Sequence, residues 1–169
     1  DFERAMTQAI AMDKRQNREG EIIIDIVPTF IENKEYTEAV RGINYIITLG
    51  SKASYYYNAK VLLIDIKYLQ ATSIIPSSIE ILKEIENDIL MLIDEMGIQL
   101  NSISLVQKLA EIQAYYLNKP LEAKKWIDKA MQVPRLRTQL VAVLKIQKAD
   151  IMLMTGEHWD ASLLYSQVE

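Results

Sequence analysis

Residues 149–165 read Ala149-Asp150-Ile151-Met152-Leu153-Met154-Thr155-Gly156-Glu157-His158-Trp159-Asp160-Ala161-Ser162-Leu163-Leu164-Tyr165. Two helical patterns meet there through a short turn. The first helix is expected from about Thr138 to Met154, Thr155-Gly156-Glu157 turns the chain, and the second helix starts near Trp159. Its apolar stripe is Ala161, Leu164, Tyr165 and Val168, at the three- and four-residue spacing of one helix face. The small residue Ala161 opens that stripe, and a small side chain there lets two helices approach closely while larger ones fill the groove beyond it.

The same unit is legible upstream. Phe2, Ala5, Met6, Ala9, Ile10 and Met12 predict a helix over 1–16. A second is expected over about 20–33 with Pro28 inside it, where the missing N–H should kink or loosen the helix. A third covers about 37–49, with Ala39, Ile43, Ile46 and Ile47 as its stripe and Gly50 as its C′ residue. Ser54 opens a fourth to about Thr72, a loop spans 72–76, and Ser77 with Glu80 forms a capping-box pattern for a fifth ending at Gly97. A sixth runs from Ser102 or Ser104 to Leu117, and a seventh from Leu121 to Met131. No segment alternates as a strand does. Five glycines and four prolines leave little turn punctuation, which also favours helices. The chain reads as all-α, with about nine helices.

The small residue recurs. Ala5 and Ala39 are 34 residues apart, Ala123 and Ala161 are 38 apart, and 84 residues separate Ala39 from Ala123, room for two enlarged periods. Phe2 and Tyr36 each stand three residues before an alanine. Ala9 and Met12, and Ile43 and Ile46, follow at four and seven residues, as Tyr165 and Val168 follow Ala161. A repeated helix-turn-helix of this length resembles the tetratricopeptide repeat. The stretch from Ala149 to Glu169, with Tyr55-Tyr56-Tyr57-Asn58-Ala59 and Tyr115-Tyr116-Leu117-Asn118, is similar to a group of long bacterial tetratricopeptide proteins that look exported and whose functions are mostly unassigned.

The resemblance covers nearly the whole chain. It implies one α-solenoid segment over 1–169, a right-handed superhelix of antiparallel hairpins at about 20–50, 54–97, 102–133 and 137–169, with 1–16 as the second helix of a preceding hairpin. It also implies an extended scaffold whose concave face recognises a protein or peptide, in an exported or periplasmic bacterial setting. Both ends lie within helical patterns, as expected of a piece of a longer protein, so a signal peptide is neither visible nor excluded. The apolar stripes Phe2/Ile10 and Leu164/Val168 are expected to be uncovered and to support weak homodimerisation.

Composition narrows the chemistry. Half of the 169 residues are hydrophobic and a quarter charged, a globular balance. The net charge of −4 lacks the clustered cations of a nucleic-acid binder, and Arg135, Arg137, Lys145 and Lys148 read as a solvated helix face. Without cysteine there are no disulfides, thiolate metal sites or cysteine nucleophiles. No apolar run reaches the length of a membrane span.

One histidine, His158, flanked by Glu157 and Asp160, reads as a surface residue rather than a metal ligand or catalytic base, since a metal site needs three or four ligands in fixed geometry. The carboxylates Glu80, Glu84, Glu86, Asp88, Asp94 and Glu95 read as helix solvation, and the isolated glycines form no phosphate loop. Of the tyrosine run at 55–57 at most two can share a face. Trp126 and Trp159 fall on second helices, pointing to core or convex surface.

These readings favour a binding protein over an enzyme, with no cofactor and no metal. The expected concave surface carries Ile24, Pro28, Ile31, Tyr56, Ile146, Asp150 and Leu153. Ile24, Pro28, Ile146 and Asp150 stand where some relatives hold Lys and Asn to clamp a C-terminal carboxylate, so that mode of recognition is not expected. The alternatives are a structural spacer between domains and an α-toroid with a ligand or catalytic pocket.

Overall fold

The computed structural model describes residues 1–73 and 76–168. Among them the fold is all-α, with nine α-helices and no strand. They are α1 (Phe2–Gln16), α2 (Glu21–Glu32), α3 (Tyr36–Thr48), α4 (Tyr56–Thr72), α5 (Ile79–Met96), α6 (Ile103–Glu111), α7 (Pro120–Met131), α8 (Thr138–Met154) and α9 (His158–Ser166). No helix is long and apolar enough to cross a membrane among the described residues. The chain divides into two compact units, Asp1–Ile75 and Pro76–Glu169, so α4 and α5 belong to different units. The loop expected at 72–76 lies partly outside the described residues, as does Glu169.

In the first unit, α1 packs on α2 and α3, and α4 packs on α3 and α2. Met6, Ile23, Val27, Ala39, Ile43, Ile46, Ala59 and Ile66 are fully buried in one cluster. Each large aliphatic side chain so buried contributes about 1.5–3 kcal/mol. α3 approaches α1 closely at Gly42, where a Cβ would meet the Met6 Sδ at 2.6 Å and the Ile23 Cγ2 at 2.8 Å. Phe2 stacks edge-on against Phe30 at 5.1 Å, and Ile10 packs on the same core. The stripe expected to be uncovered on α1 is therefore turned inward. Ala5 is exposed, because Met6 is the residue that faces the α2–α3 pair. α2 runs on through Pro28, whose position is exposed.

In the second unit, α5 packs on α6, α6 on α7, α7 on α8 and α8 on α9. Leu82, Ile85, Ile89, Leu105, Leu109, Ile112, Ala123, Ile127, Leu144, Ala149, Ile151 and Ala161 are fully buried. The sixth helix is not the uniform α-helix expected. A 3-10 turn, Leu100–Ser102, leads into α6, and a π-helical segment, Ile112–Tyr116, follows it. The cap of α5 is Ser78, one residue beyond the expected Ser77, and its hydroxyl accepts from the Ile81 N–H at 3.4 Å.

One turn is built three times. Lys34, Asn118 and Gly156 all adopt left-handed φ, at 61°, 54° and 82°. Each is followed by an N-cap of nearly constant ψ: Glu35 at 55°, Lys119 at 53° and Glu157 at 54°. The N-cap carbonyl then accepts from the N–H of Ala39, Ala123 and Ala161 respectively, at 3.0–3.1 Å. The N-cap N–H returns to the helix before the turn, Glu35 to Phe30 and Glu157 to Met152, both five residues back. These bonds satisfy groups that helix ends leave orphaned. Three of the four alanines of the sequence pattern, Ala39, Ala123 and Ala161, are thus the fourth residue of helices α3, α7 and α9, all fully buried.

Candidate functional site

Helix α8 buries one side and leaves the other open. Leu144, Ala149, Ile151 and Met152 face the interior, whereas Val143 (49% exposed), Ile146 (40%), Leu153 (43%) and Met154 (48%) are exposed. At 3.6 residues per turn these four and Asp150 fall within an arc of about 100°. They form an apolar ridge bearing a single charge, Asp150, which sits four residues after Ile146 and three before Leu153.

Asp150 is held in place from α9. The Tyr165 hydroxyl donates to Asp150 Oδ1. That hydrogen bond, with burial next, pushes the Tyr165 hydroxyl up to about 12. Asp150 Oδ2 has no hydrogen-bond partner among the described residues. Tyr115 lies on the π segment and is 47% exposed. Its hydroxyl titrates above the usual tyrosine range through burial first, then the charges of Asp150 and Glu111. On the flank of the ridge, Gln147 Nε2 donates to the Gln107 carbonyl of α6 at 2.7 Å, which ties α8 to α6.

Three expected site residues, Ile146, Asp150 and Leu153, therefore share this ridge. Tyr115 of the Tyr115-Tyr116 run is exposed on the π segment. The other four belong to the first unit. Ile24 and Ile31 are half-buried against that core, and Pro28 is exposed one turn from Ile24 on α2. Tyr56 packs edge-on against Tyr57 at 5.2 Å, with the Lys60 ammonium 5.0 Å from its ring centre.

The first unit also holds an open pocket of about 360 Å³, lined by Asp13, Lys14, Glu19, Tyr45, Leu49 and Lys52 among others. Its buried carboxylate is occupied by the chain itself. Asp13 Oδ1 accepts from the Gly20 N–H and the Tyr45 hydroxyl, both at 2.9 Å, and Oδ2 from the Ile22 N–H at 3.2 Å. Asp13 thereby caps the start of α2 from across the turn. Burial, then the bond to Asp13, pushes Tyr45 up to about 12. Glu19 is spent on the Ser54 hydroxyl and N–H, which hold its carboxyl below the usual range.

Other residues singled out in the sequence have structural places. Glu86 is not a solvated carboxylate. It is buried and accepts from Gln113 Nε2 at 2.8 Å and from the Lys119 ammonium at 2.8–2.9 Å, because its face of α5 packs on the π segment. Lys148 pairs with Asp128, and Lys145 donates to Gln167. His158 is exposed at the start of α9, and no cluster of three or more His, Asp and Glu that could hold a metal occurs among the described residues. Trp159 is 90% exposed, so it belongs to the surface, while Trp126 is half-buried with the Lys129 ammonium 4.2 Å from its ring centre.

No family model matches the chain, and a comparison with curated proteins finds no match.

Proposed function

We propose that the chain is a tetratricopeptide-like α-solenoid segment and works as a non-enzymatic scaffold that binds a protein or peptide on its first-helix faces. The recurrence of one hairpin turn at Lys34, Asn118 and Gly156 supports a repeat architecture. So does a repeated side-chain link in the second unit. Lys119, the N-cap of α7, reaches back to Glu86 on α5, and Glu157, the N-cap of α9, reaches back to Lys124 on α7, each across 33 residues. In this reading α5, α7 and α9 are successive second helices and α6 and α8 successive first helices.

The observation that carries the binding function is the exposed ridge of α8. An apolar stripe that its own fold leaves open, centred on one oriented carboxylate, has the make-up of an interaction surface. The test is a peptide selection on the full chain, counter-selected against an Ile146→Glu/Leu153→Glu variant. Both residues are exposed, so the variant is expected to keep the wild-type urea midpoint. Selected peptides should bind the wild type and lose at least about tenfold on the variant, the scale of one buried apolar contact on each side. Equal binding to both proteins would remove the ridge as the site.

A further inference from the structure

The spacing of the ridge says what kind of segment fits it. From Ile146 to Leu153 the helix rises about 10.5 Å, with Asp150 about 6 Å from the first and 4.5 Å from the second. An extended peptide covers 10.5 Å in about three residues, and residues three apart on a strand point to opposite faces. Its same-face side chains recur at about 6.6 or 13 Å and match the spacing of Ile146 and Leu153 less closely than a helix does. A helical partner covers the distance in seven residues, with both side chains on one face and a third between them.

The chemistry of the middle position is set by Asp150. It is the only charge on the ridge, it is half-buried between apolar neighbours, and Tyr165 fixes one oxygen while the other has no partner among the described residues. A carboxylate oxygen with an open acceptor position suits an ammonium or guanidinium group.

Resting on the scaffold reading above, we infer that the α8 ridge takes a helical partner segment with apolar side chains seven residues apart and a single Lys or Arg between them, received by Asp150. The recognition is by a charged notch within an apolar seam. The seam provides contact area, and the notch selects register and partner, because an apolar or acidic side chain in the middle leaves the carboxylate buried without a counter-charge.

The test uses three synthetic alanine-based helical peptides, blocked at both ends and made soluble by glutamines on the far face. Each carries two leucines seven apart, with Lys, norleucine or Glu at the position between them. Affinities for the full chain are read by fluorescence anisotropy. The Lys peptide should bind about fivefold or more tightly than the norleucine peptide, the scale of a half-exposed ion pair, and the Glu peptide weakest. Asp150→Asn keeps an acceptor for Tyr165 and removes the charge, so it should bring the Lys and norleucine affinities within twofold of each other, by weakening the Lys peptide and relieving the penalty on norleucine. Raising salt should reduce the Lys preference alone. Equal binding of Lys and norleucine peptides to the wild type, with both lost on Ile146→Glu, would overturn the notch and leave the scaffold standing. No binding of any peptide at millimolar concentration would overturn both.

Discussion

Hairpins α6–α7 and α8–α9 are built on one plan and stabilised differently. They share a 38-residue spacing at the turn, Asn118 to Gly156, at the N-cap, Lys119 to Glu157, and at the buried alanine, Ala123 to Ala161. They also share the link to the preceding second helix, with the charges exchanged: Glu86–Lys119 in one, Lys124–Glu157 in the other. In the first pair the carboxylate side chain is 7% exposed, and in the second it is 32% exposed. The backbone turn is thus the common element, and the polarity of the cross-link is free to invert. Its energetic weight depends on how far the carboxylate is withdrawn from water.

That contrast can be broken most strongly at Lys119. Lys119→Ala leaves Glu86 buried without its counter-charge and should lower stability by about 2–3 kcal/mol in urea denaturation. This is below the range for fully buried pairs because the Lys119 side chain is 42% exposed. Adding Glu86→Gln should recover most of the loss. No recovery would show that Lys119 acts through packing and not charge.

The left-handed turn residue gives the next effects. Gly156 has open space where a Cβ would stand, so Gly156→Ala tests only the backbone conformation and should lower stability by about 1 kcal/mol. Lys34 occupies the equivalent conformation with a side chain, and Lys34→Gly should raise stability by about 0.5 kcal/mol. A Lys34→Gly change that lowers stability, as Gly156→Ala does, would mean that the turns are not energetically equivalent.

The smallest effect concerns the half-buried Lys124–Glu157 pair, whose carboxylate is the more exposed of the two. Glu157 is held below the ordinary carboxyl value of 4.5, first by the Lys124 ammonium and then by the Thr155 hydroxyl. A lowered folded value stabilises above the unfolded value and loses that stabilisation as pH falls through the folded one. Any advantage of wild type over Glu157→Gln in thermal unfolding should therefore be present at pH 7 and shrink below about pH 4.5. A difference that persists at pH 2 would assign it to geometry and not charge.

What the sequence discloses follows from what periodicity can see. Ala39, Ala123 and Ala161 announced themselves because small residues at close helix crossings recur at fixed spacing, and all three are buried. Ala5 fits the same spacing but is exposed, since a spacing rule does not know which side of α1 is covered. Glu86 has the helical period of its acidic neighbours, yet it alone meets Lys119 and Gln113, 33 and 27 residues away. The ridge residues Ile146, Asp150 and Leu153 were readable as one face of α8. The hydroxyl that orients Asp150 comes from Tyr165, across the turn, and only the folded chain brings it there. The π segment carries no local signature, because Ile112–Tyr116 is an ordinary helical pattern whose wider winding comes from what it must join.

That wider winding has a consequence for the turn that follows it. The turn after α8 closes from Glu157 to Met152, five residues back, whereas the turn after α6 closes from Lys119 to Gln113, six back. One surplus residue is absorbed inside the helix as a local widening, without displacing the left-handed turn or the alanine beyond it. Removing one residue from Ile112–Tyr116 is therefore expected to tighten the winding to an ordinary α-helix while the Asn118 turn and Ala123 stay in place.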